Sequence, residues 1–235
     1  MINKLSILVP AYNEARTIRE ILEKVVAVEL SGGIEKEIVI VNDCSTDDTV
    51  SEVERFMADY PAATIRLYSQ DKNQGKGAAI NRAIQECTGD YLIVQDADLE
   101  YDPKEFIKFT NLINKFSVDA IIGSRFNYSD YIRSHNIANK FGNYILTLFF
   151  NLLYNTTFTD IYSCYLAFRR DILDVDKLKT DGFEQHAEIL CKIVKKSDKF
   201  YEVPINYNGR SAKEGKKIKF YHFFTVIYRI LIERF

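Results

Sequence analysis

Tyr91-Leu92-Ile93-Val94-Gln95-Asp96-Ala97-Asp98-Leu99-Glu100 decides how the rest of the chain is read. Its first half is a short apolar run with a β-branched centre, the pattern of a buried strand. Its second half sets three carboxylates two residues apart: Asp96, Asp98 and Glu100. Like charges gathered just past a strand end repel one another and lose hydration, so the arrangement calls for a cation. A hard divalent ion such as Mg2+ takes carboxylate oxygens and completes its shell with water and substrate phosphates. The plainer alternative is an acidic loop after a strand, and the surrounding chain must decide between them.

Upstream, Leu5 to Val9 reads as a strand stopped by Pro10. A helix from about Thr17 to Leu30 follows, with Ile18, Ile21, Leu22, Val25 and Val26 on one face. Glu37 to Val41 is a second strand, leading through Asn42-Asp43-Cys44-Ser45-Thr46-Asp47 into a helix that ends near Asp59. Thr64 to Tyr68 is a third, and the turn Asn73-Gln74-Gly75-Lys76-Gly77 opens a helix from Ala78 to Cys87. Downstream, Pro103 begins a helix to Phe116, and Val118 to Gly123 is a fifth strand. Strands alternating with helices of this length predict an α/β fold with a mainly parallel central sheet, a Rossmann-like arrangement. Ligands of such sheets sit at the carboxyl ends of the strands. The unusual polar residues all fall there: Tyr12 to Glu14, Asp43, Asp96 to Glu100, and Ser124-Arg125.

The second half is less regular. It predicts a helix from His135 to Tyr154, a strand from Cys164 to Phe168 and a helix from Glu184 to Val194. An extended segment from Tyr201 to Tyr207 and a helix from Ile218 to Phe235 complete it. With no repeat and no low-complexity linker, residues 1–235 are expected to form one domain, with a binding half (1–125) and an acceptor half (126–235). The 235 residues are 47% hydrophobic and 27% charged with a net charge of −2, which suits a globular protein and argues against a nucleic-acid partner. Four cysteines without a C-x-x-C pair read as free thiols of a reducing compartment. No leader and no spanning helix are expected, which points to the cytoplasm, with peripheral membrane contact through the amphipathic helices at Tyr144–Tyr154 and the C-terminus.

Six ordered pieces resemble the inverting glycosyltransferases of family 2, which have the type-A nucleotide-sugar fold. They are Val9-Pro10-Ala11-Tyr12-Asn13-Glu14, Val41-Asn42-Asp43-Cys44-Ser45-Thr46-Asp47, Asn73-Gln74-Gly75-Lys76-Gly77, Asp96-Ala97-Asp98, Gly123-Ser124-Arg125 and the later run of motifs. That later run, Phe183-Glu184, Glu202-Val203-Pro204-Ile205 and Arg210 with Glu214-Gly215-Lys216-Lys217, is similar to the branch that loads dolichyl and polyprenyl phosphates.

The resemblance implies a transfer from a UDP- or GDP-sugar to such a lipid phosphate, assisted by Mg2+ or Mn2+. Pro10, Ala11, Tyr12, Glu14 and Val41 would line the nucleoside, and Asp43 would accept from a nucleobase N–H. Lys76, Asp96, Ala97, Lys216 and Lys217 would also contact the substrates. Asp96, Asp98 and Glu100 would hold the metal, and Arg125 and Arg210 would steady the leaving phosphate. Where a hydroxyl is the acceptor, a base is required, with Glu184 first and Asp160 and Glu188 behind it. The three histidines are read as non-catalytic. This chain departs from the family at Asn42, where a second Asp is usual, and at Ser163-Cys164-Tyr165 near the acceptor. Alternatives are transfer to a saccharide hydroxyl and a silent nucleotide-sugar-binding protein.

Overall fold

The computed structural model describes residues 2–127, 133, 137–209 and 221–235. Among them seven strands form one sheet: β1 (Lys4–Ala11), β2 (Glu35–Asn42), β3 (Ile65–Ser69), β4 (Tyr91–Val94), β5 (Ala120–Ser124), β6 (Leu166–Arg169) and β7 (Phe200–Pro204). Their order across the sheet is β3-β2-β1-β4-β6-β5-β7. β1 pairs in parallel with β2 and β4, as do β2 with β3 and β5 with β7, whereas β6 runs antiparallel to both β4 and β5. The expected α/β architecture with a mainly parallel sheet is therefore met, and strands from both halves of the chain share it.

Alternation along the strands explains the layering. Leu5, Ile7, Val9, Ile38, Ile40 and Ile93 face one side, where α1 (Ile18–Ala27), α2 (Thr49–Asp59) and α4 (Phe106–Phe116) bring Ile18, Leu22, Phe56 and Phe109 against them. Leu8, Val39, Val41, Leu92 and Val94 face the other. They meet α3 (Lys76–Glu86), α5 (Ile137–Tyr154), α6 (Gln185–Val194) and α7 (Tyr221–Arg234) through Ile80, Phe150, Ile189 and Ile230. Each large side chain fully buried this way contributes about 1.5–3 kcal/mol, so both faces hold the sheet.

Two departures from the sequence reading have physical causes. α1 stops at Ala27, short of Leu30, because Lys36 Nζ donates to the carbonyls of Val25, Val26 and Val28 at 2.9, 2.6 and 2.5 Å. That ammonium satisfies carbonyls a helix end leaves without partners. β6 runs against its neighbours because the chain leaves β5, crosses through α5 and returns down the sheet. Hydrophobic pattern marks a strand but carries no direction.

Candidate active site

β1, β2, β4 and β5 send their carboxyl ends to one edge, and the chain order turns back between β1 and β4. Such a turning point leaves a crevice between loops that diverge to opposite sides. A cavity of about 360 Å³ opens there. Pro10, Ala11, Tyr12 and Glu14 line it after β1, Asp43 after β2, Lys76 at the start of α3, Asp96, Ala97, Asp98 and Glu100 after β4, and Arg125 after β5. Eleven residues expected from scattered stretches of sequence thus share one cavity. Arg210, Lys216 and Lys217, and the histidine at 135, lie outside the described residues.

Two of the expected residues lie outside the cavity wall. Val41 is fully buried in the core on the α3 side of β2, since a strand covered on both faces leaves an apolar side chain only the interior to enter. Glu184 is not in the cavity wall. Its carboxylate folds back over Gly182, where an added Cβ would lie 2.6 Å from Oε2.

The end of the cavity below β1 and β2 is built from loops tied to each other. Asn13 and Cys44 both adopt left-handed backbone, with φ of 53° and 58°. Asn13 N–H donates to Ser45 Oγ at 3.0 Å, and its Oδ1 accepts from Thr46 N at 2.8 Å. Asp43 is almost fully buried and accepts from Gln74 N at 2.7 Å, Gly75 N at 2.9 Å and Gln70 Nε2 at 2.8 Å. Its first role is therefore to pin the loop that opens α3. Gly75, at φ 100°, and Gly77 let that loop press on the 181–182 backbone, where a Cβ would meet Asp181 at 2.6 and 2.5 Å.

Lys76 Nζ lies 2.5 Å from Asp96 Oδ1 and 3.6 Å from Cys164 Sγ. Burial works against both charges, yet the pairing prevails: Lys76 is held well above its usual range and Asp96 below the usual carboxylate range. Burial, and then Asp96, push the Cys164 thiol well up. Leu99 takes φ 62°, and Asp98 Oδ1 accepts from Glu100 N at 3.2 Å. Tyr207 Oη donates to Glu100 Oε2 at 2.6 Å. With Asp96 turned to Lys76 and Glu100 to Tyr207, no group of three or more His, Cys, Asp or Glu side chains is gathered to hold a metal among the described residues. Among the described residues, Asp96, Asp98 and Glu100 share the cavity wall without being gathered on one point. Carboxylates on one cavity wall do fit a hard cation that keeps positions for phosphate oxygens, as Mg2+ does.

Arg125 is clamped. Its Nε and Nη2 donate to Asp160 Oδ2 and Oδ1 at 2.7 and 2.9 Å, and its backbone N–H to Oδ2 at 3.0 Å. Asn143 Nδ2 adds a bond to Oδ1 at 3.0 Å. Burial opposes both charges, but the fork keeps Asp160 below the usual carboxylate range and Arg125 well above its own. Glu202 supports the clamp by accepting from the backbone N–H groups of Thr159 and Asp160 at 2.8 and 3.0 Å. Glu188 is also committed, accepting from Lys179 N and Thr180 N at 2.9 and 3.0 Å beside Arg229. Neither Asp160 nor Glu188 lines the cavity.

Tyr162, Cys164, Gln185, His186 and Tyr207 also line the cavity. Of these, Cys164 stood out in the sequence as a departure from the family pattern, and His186 as one of three histidines read as non-catalytic. The others arrive through tertiary contacts that local spacing does not encode.

The model of the family described as "Glycosyl transferase family 2" matches residues 6–176. The dolichol-phosphate mannosyltransferase of Pyrococcus furiosus is 29% identical over 234 residues, covering 97% of this chain and 64% of that protein. A low-salt glycan biosynthesis hexosyltransferase of Haloferax volcanii is 29% identical over 210 residues, 89% of this chain and 49% of its own length. For the dodecaprenyl-phosphate galacturonate synthase of Rhizobium johnstonii the figures are 27% over 143 residues, 61% of this chain and 42% of the relative. The chain therefore spans about two fifths to just under two thirds of these relatives. Among solved structures, glucosyl-3-phosphoglycerate synthase of Mycobacterium tuberculosis with Mn2+, UDP and phosphoglyceric acid superposes with a TM-score of 0.70 at 18% identity, over 99% of this chain and 78% of that one. That likeness establishes the fold. Because the matched segment runs from β1 through β6 and takes in all the strand-end loops from Pro10 to Arg125, the chain belongs to glycosyl transferase family 2.

Proposed function

We propose that the protein transfers a sugar, with inversion, from a nucleoside-diphosphate sugar to a polyprenyl or dolichyl phosphate. The observation that carries this reading is the convergence of Asp43, Lys76, Asp96, Asp98 and Arg125, from separate loops, on one cavity at the sheet's turning point. The names of the relatives, two of which act on dolichyl or dodecaprenyl phosphate, support the acceptor.

In this reading Pro10, Ala11 and Tyr12 receive the nucleoside, with the Tyr12 ring available for stacking. Asp98 and Glu100, with Asp96 where Lys76 releases it, would hold Mg2+ or Mn2+. When bound, that ion would neutralise the charge that grows on the departing diphosphate. Lys76 reaches the same end of the cavity and supplies a second positive charge. The guanidinium of Arg125, locked by Asp160, forms a fixed cationic wall rather than a mobile arm. Arg210, Lys216 and Lys217 are assigned to the phosphates from the sequence motif.

A lipid monophosphate has a second pKa near 6, by analogy with phosphorylated side chains, so its oxygen is already ionised at neutral pH. A hydroxyl acceptor would require a base. None of the three carboxylates considered for that task stands in the cavity wall, which favours the phosphate acceptor over a saccharide hydroxyl.

The apolar stripes left exposed on α5 and α7 are assigned to the surface of a bilayer, where such an acceptor resides. The decisive experiment is a thermal-shift titration with UDP and GDP, each with and without Mg2+ or Mn2+. One nucleotide is expected to raise the midpoint only with metal, and Asp98→Ala is expected to abolish the metal-dependent part. A chain that responds to neither nucleotide under any metal is not a transferase of this kind.

A further inference from the structure

Glu100 stands at the boundary of two spaces. It lines the main cavity and also a smaller one of about 160 Å³, which it shares with Lys24, Asp102, Asn206 and Asn208. A flexible glutamate at such a boundary has two places to go, and ordering it costs rotamer entropy. The fold fixes it from the segment that follows β7. Tyr207 Oη donates to Glu100 Oε2 at 2.6 Å, and Asn208 N–H donates to the Glu100 carbonyl at 3.0 Å. An isolated antiparallel bridge pairs Tyr101 with Tyr207, so backbone and side chain grip the same loop.

Tyr207 is itself held on several sides. It is 3% exposed, its ring lies 4.9 Å from that of Tyr101, and the Arg125 guanidinium stands 5.2 Å from its centroid. Arg125 is fixed in turn by Asp160, so the hydroxyl that meets Glu100 is carried on a chain of anchored groups. The carboxylates after β4 are thus held in different ways. Lys76 meets Asp96 with a full positive charge and offsets it. A phenol hydroxyl is neutral, so it sets the direction of Glu100 without offsetting its charge. Carboxylates that bind metal ions are commonly oriented by hydrogen bonds of this kind from groups that do not touch the ion.

We propose that Tyr207 is a positioning residue, which aims the Glu100 carboxylate at a divalent cation and so ties the metal end of the cavity to the segment after β7. The assignment rests on the metal-assisted reading above and extends it to a residue outside the carboxylate loop.

Mn2+ titration followed by electron paramagnetic resonance tests it, with the protein saturated with UDP or GDP, whichever binds. Tyr207→Phe keeps the ring and removes the donor. It is expected to weaken Mn2+ binding about 10–100-fold, the usual cost of losing such an outer partner, while nucleotide binding without metal stays as in the wild type. In a Glu100→Ala background the same substitution is expected to add nothing. Replacing Tyr207 with 4-fluorophenylalanine fills the space of the hydroxyl without donating, and reads the same loss should Tyr207→Phe not fold. Replacing it with 4-aminophenylalanine keeps a donor on the ring and is expected to restore binding. Unchanged or tighter Mn2+ binding in Tyr207→Phe, an equal loss of metal-free nucleotide binding, or a loss that persists in Glu100→Ala overturns the assignment and leaves the transferase reading standing. A wild type that binds nucleotide but no Mn2+ removes both the assignment and the metal part of that reading.

Discussion

Asp160 shows how much one side chain can decide. It is fully buried and receives Arg125 through two side-chain bonds and one backbone bond. Asp160→Asn leaves the Arg125 charge without its counter-ion, and breaking a buried pair in this way typically costs about 3–5 kcal/mol. The pH dependence has a definite sign. The folded pKa of Asp160 lies below the unfolded value near 3.9, so its stabilisation is fully present above about pH 4 and is lost as pH falls through the folded pKa. His186 feels the Asp160 charge, so its own downward shift deepens in the variant and forms part of the difference at low pH. Urea melts of wild type and variant are expected to differ most near neutral pH, the gap narrowing below pH 4. A gap that stays constant to pH 3 would remove Asp160 as the source.

Residue identities at the cavity were legible because strand-end loops in a parallel sheet have few places to go, and Tyr12, Asp43, Asp98 and Arg125 all lie at strand ends. The partners were not legible. Nothing near Asp96 in sequence announces that Lys76, twenty residues earlier, will take its carboxylate, and nothing near Arg125 announces Asp160. Pairing is decided by which loops the sheet order places side by side, and that order is not written in periodicity.

At the scale of elements, apolar periodicity placed the helices to within a few residues, since each must cover one face of the sheet. The end of α1 and the start of α3 escaped it because they are set by single side chains: Lys36 on three carbonyls and Asp43 on the 74–75 backbone. The attachment of α7 was likewise hidden. Arg229 Nη2 sits 2.5 Å from Glu188 Oε1 on α6 and 3.0 Å from Glu233 Oε1, and Lys192 adds a contact to Glu233 at 2.8 Å. Glu188 is completely buried, so this cluster joins α7 to α6 inside the protein. Arg229→Ala is expected to cost about 3 kcal/mol, which for a domain of this length lowers the melting midpoint by roughly 6–12 °C. Nucleotide binding should survive, because neither Arg229 nor Glu188 lines the cavity. Loss of binding together with the midpoint would mean that α7 shapes the donor site directly.

For the molecule as a whole, the notable surface is the one the core does not use. α5 buries Leu146, Phe150 and Tyr154 and turns Ile137, Phe141, Tyr144, Leu148 and Leu152 outward, the first and last 83% and 75% exposed. α7 packs beside it, buries Val226 and Ile230, and turns Phe224, Tyr228 and Leu231 outward. The outward residues recur every three or four positions, so each helix carries a second apolar stripe beside the one the core takes. α5 contains no acidic residue, and Lys140 stands exposed within it. No helix among the described residues is long and apolar enough to cross a membrane, so contact through these stripes would be made from one side. An interfacial helix of this kind inserts its apolar face to the level of the acyl chains and leaves its charges among the headgroups. The protein is therefore expected to float with vesicles containing anionic lipid, and a fraction should remain bound at high salt, where screening removes only the electrostatic share. Leu148→Asp combined with Leu152→Asp is expected to leave it in the aqueous layer while the nucleotide-induced thermal shift stays unchanged, because both side chains lie away from the cavity. If the wild type remains in the aqueous layer as well, the stripes face another partner and the acceptor must reach the cavity by a different route.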